Sequence, residues 1–394
     1  MSWTDPRAEI EALTQRLQEI RHDIHRHPEL GFEEVRTQEL VRAWLVERGY
    51  SPRACAETGL VADLHPGRPG PTIALRADLD CLPMHESTAL AYRSIHAGRA
   101  HKCGHDGHTA ILLGVADVLA RHRGEVAGNV RLVFQPAEEG VRGGGAKVML
   151  AEGALDGVRE IYGLHNWPAF PKGELRVQAG PMLAQVHELT ITVRGKGGHG
   201  SQPQLCRDPI VAGAQLVTAL QTVVSRGLGY AGGAVLSITQ FVAGTTHNVI
   251  PDSAWMRGTV RSFEPAVTAR VLERLREVVA GTAATFGVEV ELQVDDGYPV
   301  TMNDPRCAEV VRRVGAALLG AEKVSAADLP MAGGEDFSYF ARAVPGAYFF
   351  LGARRGAEDT PVCHHPDFDF DDDLLPIGVA MFLGIVRDRM AALA

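Results

Sequence analysis

The chain has 394 residues, of which 45% are hydrophobic and 22% are charged, and its formal net charge is −9. This length exceeds one ordinary hydrophobic core and predicts two domains. No apolar run is long enough to cross a bilayer, and no basic run carries interleaved aromatic residues, so we expect no membrane and no nucleic acid as partner. The N-terminus is acidic, unlike a signal peptide, and the six cysteines are spaced singly, which together predict a cytoplasmic protein with free thiols.

The first half of the sequence alternates between helical and strand-like patterns. Residues 5–26 and 33–48 predict amphipathic helices, the first capped by Asp5 and the second ended by Gly49. Strands are predicted over 60–65, 72–78 and 129–135, and further helices over 106–122 and from residue 144. Apolar strands separated by helices predict an α/β domain with a largely buried sheet.

The pattern changes near residue 184. Strands are then predicted over 186–195, 234–244, 253–263 and 288–294, and helices over 208–225 and 266–283. This βαββαβ order is ferredoxin-like, and the α/β pattern resumes after Gly297. We therefore predict a catalytic domain in two parts, 1–183 and 298–394, interrupted by an inserted domain over 184–297.

The segment AHKCGHDGHTA (100–110) begins a predicted helix and carries two metal-ligand residue types close together. Cys103 and His105 are two residues apart, so both can face one cation, and thiolate and imidazole suit zinc-like ions. Taken alone, such a pair is equally compatible with a purely structural role. His101 and His108 are expected to lie behind the ligands or in solvent.

Two adjacent carboxylates, Glu138 and Glu139, follow directly on an apolar strand in QPAEEG. Successive side chains point in different directions, so one can bind a metal while the other faces the substrate as a proton shuttle. Adjacent glutamates are also common on surfaces. Their place after a strand favours function, because active sites of open α/β sheets lie at the carboxyl ends of strands.

Three further places carry side chains that can bind a metal or assist catalysis. His165 ends a short run in YGLHNW, and His364 precedes an acidic loop before the last helix. Asp78 and Asp80 end another strand, where either can accept the N–H of a metal-bound imidazole or can simply form a turn before Pro83. Each is ambiguous alone, and their joint occurrence after α/β units favours a shared site.

Nine motifs occur in the order of the aminoacylase/carboxypeptidase G metallopeptidase family, which this sequence resembles over essentially its whole length. Its nearest branch contains hippurate hydrolases, N-acyl-L-amino-acid amidohydrolases and indole-acetyl-amino-acid hydrolases. The motifs are RHPELGFEE, RADLDCLPM, CGHDGHTA, FQPAEEG, GLHNWP, GKGGHGS, HNVIPDSAWMRGTVRSF, GGEDFSYF and HHPDFDF. The resemblance implies an α/β, zinc-peptidase-like catalytic domain with a mixed central sheet flanked by helices.

The resemblance also implies a set of site residues. Two divalent metal ions (Zn, Mn, Co or Ni) would be held by Cys103, His105, Glu139, His165 and His364. Glu138 would be the general acid and base, and Asp78 would assist catalysis. Peptidase relatives carry His-x-Asp where this chain has Arg76-Ala-Asp78, and arginine cannot bind a cation. Cys103 is the evident replacement ligand, a pattern of the amidohydrolase branch.

For the inserted domain, the resemblance implies that His199 stabilises the oxyanion, sometimes from a partner subunit. Asn248 and Arg261 would grip the substrate carboxylate, which suits the fork of an arginine, and Glu335 would help to close the site. A ferredoxin-like insert often pairs edge to edge, so a homodimer or tetramer through it is compatible with the sequence but not required.

The function expected from these observations is the metal-dependent hydrolysis of N-acyl amino acids, of the hippurate or N-acetyl type, to a carboxylic acid and an amino acid. The nucleophile would be water, since no G-x-S-x-G motif follows a strand. Two alternatives stay open: a dipeptidase or carboxypeptidase of the same fold, and a relative that binds acyl amino acids without cleaving them.

Overall fold

The computed structural model describes residues 6–229, 232–356 and 360–393; Asp5, the expected cap of the first helix, lies outside them. The helices are α1 Arg7–Arg26, α2 Val35–Glu47, α3 His105–Arg121, α4 Gly145–Ala151, α5 Pro209–Ser225, α6 Pro265–Phe286, α7 Pro305–Leu319, α8 Phe337–Ala343 and α9 Leu374–Leu393. The strands are β1 Arg53–Cys55, β2 Gly59–Asp63, β3 Thr72–Asp78, β4 Asn129–Gln135, β5 Val158–Pro171, β6 Leu175–Arg176, β7 Gly180–Leu183, β8 Gln185–Arg194, β9 Gly198–His199, β10 Ala234–Ala243, β11 Val249–Ile250, β12 Ser253–Ser262, β13 Glu289–Asp296, β14 Thr301–Asn303, β15 Val324–Ser325 and β16 Gly346–Arg354.

The chain divides into two compact units. Unit 1 comprises Met1–Met182, Thr301–Leu329 and Asp336–Ala394, and unit 2 comprises Leu183–Val300 and Pro330–Glu335. Residues 184–297, which the sequence assigns to an inserted domain, all fall in unit 2. The short segment Pro330–Glu335 also belongs to unit 2, where the amide of Ala184 donates to the carbonyls of Met331 at 3.2 Å and Gly333 at 2.9 Å.

Unit 1 is built on an eight-stranded sheet in the order β1-β2-β4-β3-β5-β16-β6-β15. The central strands β4, β3, β5 and β16 are parallel, whereas β2 joins β4 and β6 joins β16 in antiparallel fashion. Helices α1, α3, α7 and α9 pack against one another, and α4 packs against α8. This architecture confirms the predicted α/β fold with a mixed sheet flanked by helices.

The core of unit 1 follows from the apolar patterns of its elements. Helix α1 buries Leu13, Leu17, Ile20 and Ile24, which recur at helical spacing and line one face. Strand β3 is buried from Ile73 to its end, as a parallel strand covered on both faces must be. Each fully buried aliphatic side chain contributes about 1.5–3 kcal/mol, so this core holds the sheet edge that carries the site in place.

Unit 2 contains a four-stranded antiparallel sheet in the order β10-β12-β8-β13. The buried residues of β8 alternate with half-buried or exposed ones, and Leu189, Ile191 and Val193 pack against Leu216 of α5 and Leu275 of α6. Strands and helices follow one another in the predicted βαββαβ order. Between the main strands, β9 pairs with β11 as a small separate ribbon.

Two further observations concern the whole described chain. None of the helices in residues 6–229, 232–356 and 360–393 has the length and apolar content needed to span a bilayer. All six cysteines lie within these ranges and all are free thiols.

Candidate metal centre

The candidate site in unit 1 lies where neighbouring parallel strands end. Strands β3 and β4 are paired as far as their last residues, Asp78 and Gln135. Strand β5 pairs Gly163 with Arg76, so that His165, two residues further on, is level with Asp78. We expected His165 at the end of an apolar run, but β5 continues to Pro171. His165 reaches the site because its neighbour β3 ends there.

All five predicted ligands lie together. The donor atoms of Cys103, His105 and His165 are within 4.8 Å of one another, and so are those of Cys103, Glu139 and His364. The Sγ of Cys103 is 3.3 Å from Nε2 of His165, and Nε2 of His364 is 3.3 Å from Oε1 of Glu139. Cys103 belongs to both groups, which places its sulfur between two clusters of ligands.

The loop before α3 has a shape that only glycine allows. Gly104 lies between Cys103 and His105 and has a φ of +103°, and a Cβ at this position would lie 2.0 Å from Oδ1 of Asn166. The absence of a side chain therefore lets the loop approach β5 closely. As a result Cys103 and His105 face the same space from either side of the turn.

The loop that carries His364 is tied to the Cys103 loop through Lys102. The amide of His364 donates to the carbonyl of Lys102 at 2.6 Å, and the buried ammonium of Lys102 donates to the carbonyl of Phe368 at 2.8 Å and to Glu86 at 2.7 Å. His364 itself has a φ of +69° and a side chain that is 55% exposed. These bonds hold an otherwise exposed ligand beside the buried ones.

The two aspartates after β3 have different partners. Nδ1 of His105 is 2.9 Å from the carbonyl and 3.3 Å from the carboxylate of Asp80, which leaves Nε2 facing the ligand cluster. Asp78, by contrast, is bonded to Nδ1 of His108 at 2.7 Å and to Arg76 at 2.6 Å. Of the two candidates, Asp80 therefore orients a predicted metal ligand, whereas Asp78 orients His108.

The buried histidines beside the ligands are not solvated. His108 bridges Asp78 and Oδ1 of Asn166, at 2.7 Å each. His101 is also buried, and neither of its ring nitrogens has a hydrogen-bond partner among the residues that the structure describes. Burial lowers the pKa of His101 to about 4, so its ring is neutral at pH 7.

Burial and mutual contacts hold two of the ligands in particular protonation states. A hydrogen bond with the thiol of Cys363, together with burial, raises the pKa of Cys103 well above its usual range. Burial and the neighbouring ring of His108 lower the pKa of His165 well below its usual range, so this imidazole is neutral, as a ligand must be. A bound cation would reverse the rise in the pKa of Cys103, because a thiol that coordinates a metal is deprotonated.

The site attracts positive charge. Burial opposes protonation of His105, but the carboxylates of Asp78, Asp80 and Glu139 outweigh it and raise the pKa of His105 well above its usual range. The same negative field that favours a proton there favours a divalent cation. Nε2 of His105 and Oε1 of Glu139 are buried and make no hydrogen bond within the described residues, which fits a role as donors to an ion.

The remaining predicted residues lie in unit 2. His199 of β9 pairs with Val249 of β11, and the amide of Gly200 donates to the carbonyl of Asn248 at 2.9 Å, so His199 and Asn248 are near neighbours. The ring of His199 contacts the hydroxyl of Ser201 at 2.8 Å. The guanidinium of Arg261 donates to the carbonyl of Ala332 at 2.6 Å. Glu335 is buried.

Some residues that shape this site were not identified from the sequence. Asn166 and Lys102 lie in the quoted segments GLHNWP and AHKCGHDGHTA, but neither they nor Glu86 were assigned a role, because their partners lie 16 to 266 residues away. Glu34 did carry one, since it belongs to the motif RHPELGFEE, to which no role was attached.

Comparison with known proteins places the chain among metal-dependent hydrolases. A model of peptidase family M20/M25/M40 matches residues 74–388. The N-acetylcysteine deacetylase of Bacillus subtilis is 40% identical over 94% of this chain and 96% of that protein. Thermostable carboxypeptidase 1 of Saccharolobus solfataricus is 36% identical over 91% of this chain and 92% of that protein. The crystal structure of the Bacillus subtilis YXEP protein, a dinuclear metal binding peptidase from the M20 family, is 36% identical with a TM-score of 0.81, covering 97% of this chain and 99% of that one.

Proposed function

The chain belongs to peptidase family M20/M25/M40 and is a metal-dependent amidohydrolase, and we propose that its substrates are small N-acyl amino acids, cleaved to a carboxylic acid and an amino acid. The main support for this substrate class is that Arg76 stands where peptidase relatives carry a metal-binding histidine. Its guanidinium is buried and bonded to Asp78 at 2.6 Å and Gln135 at 2.7 Å, so it serves structure and not metal binding. Cys103 supplies the ligand instead, the pattern of the amidohydrolase branch.

The residues at the site fit a pair of divalent ions. Cys103, His105, Glu139, His165 and His364 would hold them, and a mixture of sulfur, nitrogen and oxygen donors suits Zn, Mn, Co or Ni. When bound, such ions polarise an amide carbonyl and lower the pKa of water.

Glu138 would be the general acid and base. It is buried, its backbone amide is held by Asp80 at 3.0 Å, and one of its carboxylate oxygens is 3.9 Å from Nε2 of His105. A carboxylate so placed can take a proton from water and deliver it to the departing amine nitrogen. In this proposal Asp80 orients His105, and Asp78 supports the site through His108.

Residues of unit 2 would bind the rest of the substrate. His199 would donate a hydrogen bond to the oxyanion, either within its own subunit or across a homodimer or tetramer formed through unit 2. Asn248, its neighbour across the β9–β11 ribbon, and Arg261 would bind the free carboxylate, and Glu335 would help to close the site.

One alternative has specific support, because the chain is also 36% identical to a carboxypeptidase. A substrate panel separates the two functions. Metal-loaded protein is assayed with hippurate, with N-acetyl amino acids, and with dipeptides that carry the same C-terminal amino acids. We expect cleavage of the first two classes; hydrolysis confined to dipeptides would favour the peptidase, and binding without any hydrolysis would favour a non-catalytic relative.

A pair of matched variants tests the roles of the adjacent glutamates. Glu138→Gln is expected to lower kcat by about 10²–10⁴-fold, the usual contribution of a general acid and base, and to keep its metal content. Glu139→Gln is expected to lose metal as well as turnover. Metal content is measured by atomic emission after gel filtration, and loss of metal from Glu138→Gln would reassign Glu138 as a ligand.

A further inference from the structure

Glu34, in the motif RHPELGFEE, is a buried carboxylate without a role in the proposed chemistry. It precedes α2 and is inaccessible to solvent. Its Oε1 accepts the amide N–H of Ala137 at 2.8 Å, and its Oε2 accepts the hydroxyl of Thr58 at 2.5 Å. Both oxygens are therefore engaged, one of them by the residue immediately before Glu138.

Asp80 binds the next two amides of the same turn. Its Oδ1 accepts the N–H of Glu138 and its Oδ2 accepts the N–H of Glu139, both at 3.0 Å. Three consecutive backbone amides are thus held by two buried carboxylates from distant parts of the chain. Buried amides must find acceptors, and here side chains provide them after β4 has ended, so these side chains determine the orientation of the turn.

The turn needs such support because its backbone is costly. Ala137 has a φ of +54°, a left-handed conformation that costs a residue with a Cβ about 1–2 kcal/mol. Gly31, in the same motif as Glu34, packs closely against Ala137. A Cβ at Gly31 would lie 2.9 Å from both Cα and Cβ of Ala137. The segment from Gly31 to Glu34 therefore packs on the turn and binds it.

We infer that Glu34 is a positioning residue that holds the Glu138–Glu139 turn in its working geometry through the amide of Ala137. The inference rests on the proposed roles of those two glutamates. Burial and the nearby carboxylate of Asp80 raise the pKa of Glu34 to about 7.

Metal affinity is the first test, because Glu139 is a proposed ligand and Glu34 touches no donor atom. Dissociation constants for Zn are measured by chelator competition on the full chain. We expect Glu34→Ala to weaken binding by about 10–100-fold, the usual effect of losing a group that orients a ligand. Glu34→Gln is expected to stay within about threefold of wild type, since its amide oxygen can still accept the N–H of Ala137.

Two further variants separate positioning from general destabilisation. Thr58→Val removes the other partner of Glu34 but leaves the contact to Ala137, so we expect a lower Tm with metal affinity near that of wild type. Gly31→Ala keeps Glu34 but presses on Ala137, so we expect weaker metal binding. Should Glu34→Ala fail to fold, this second variant still shows whether metal binding depends on the position of Ala137, and unchanged binding would count against the inference.

Kinetics at saturating metal provide the second readout. Glu34→Ala is expected to lower kcat by about tenfold or more with little change in KM, and Glu34→Gln to restore it. Wild-type metal affinity and kcat in Glu34→Ala would overturn the inference, as would an equal loss of affinity in Thr58→Val. If the wild-type protein cleaves no N-acyl amino acid, the proposed function fails, while the comparison of metal affinities still decides the role of Glu34.

Discussion

The raised pKa of Glu34 also predicts how Glu34→Gln changes the pH dependence of unfolding, and this prediction does not depend on catalysis. The folded protein raises the pKa of this carboxyl from an ordinary value of 4.5 to about 7, chiefly by burial and secondly through Asp80. A difference of this size corresponds to about 3 kcal/mol of unfolding free energy. The folded state binds the proton more tightly, so the contribution is complete below pH 4.5 and is lost as the pH rises through about 7.

Glutamine cannot ionise, and its oxygen and nitrogen can still pair with the amide of Ala137 and the hydroxyl of Thr58. We therefore expect the stability of Glu34→Gln relative to wild type to increase by about 3 kcal/mol between acidic and mildly alkaline pH. Urea unfolding of both proteins, measured with a chelator present at pH 4.5 to 8.5, checks this, because metal binding has a pH dependence of its own. Parallel stability profiles would refute the reasoning.

Three other changes have defined outcomes. Arg76→Met removes the guanidinium that pairs with the buried carboxylates of Asp78 and Asp336, and we expect urea unfolding to show a loss of about 3–5 kcal/mol; a loss below about 1 kcal/mol would contradict it. Lys102→Met keeps the backbone bond to His364 but removes the ammonium contact to the carbonyl of Phe368 in the same loop, so chelator competition is expected to show about tenfold weaker metal binding, whereas an unchanged affinity would count against the role of this contact. Arg261→Ala is expected to raise KM for substrates with a free carboxylate more than for their amides, and equal increases would exclude a carboxylate contact.

Local sequence patterns determined the elements and the general place of the site. Helical spacing in α1, the apolar run of β4 and the glutamates after it follow from the periodicity of neighbouring residues, and the structure has each of them where it was expected. Because active sites of open α/β sheets lie at strand ends, the position of Glu138 and Glu139 after β4 could be interpreted without coordinates. The resemblance added the ligand set, which the structure brings together.

Only the tertiary structure decided which of two equivalent residues contacts which partner. Asp78 and Asp80 are alike in sequence, and the rotation of α3 against β3 pairs the first with His108 and the second with His105. The contact between Glu34 and Ala137 spans 103 residues and leaves no local pattern. Such pairings depend on how distant segments pack against one another. Sheet register and core packing determine that arrangement together, and no single stretch of sequence encodes it.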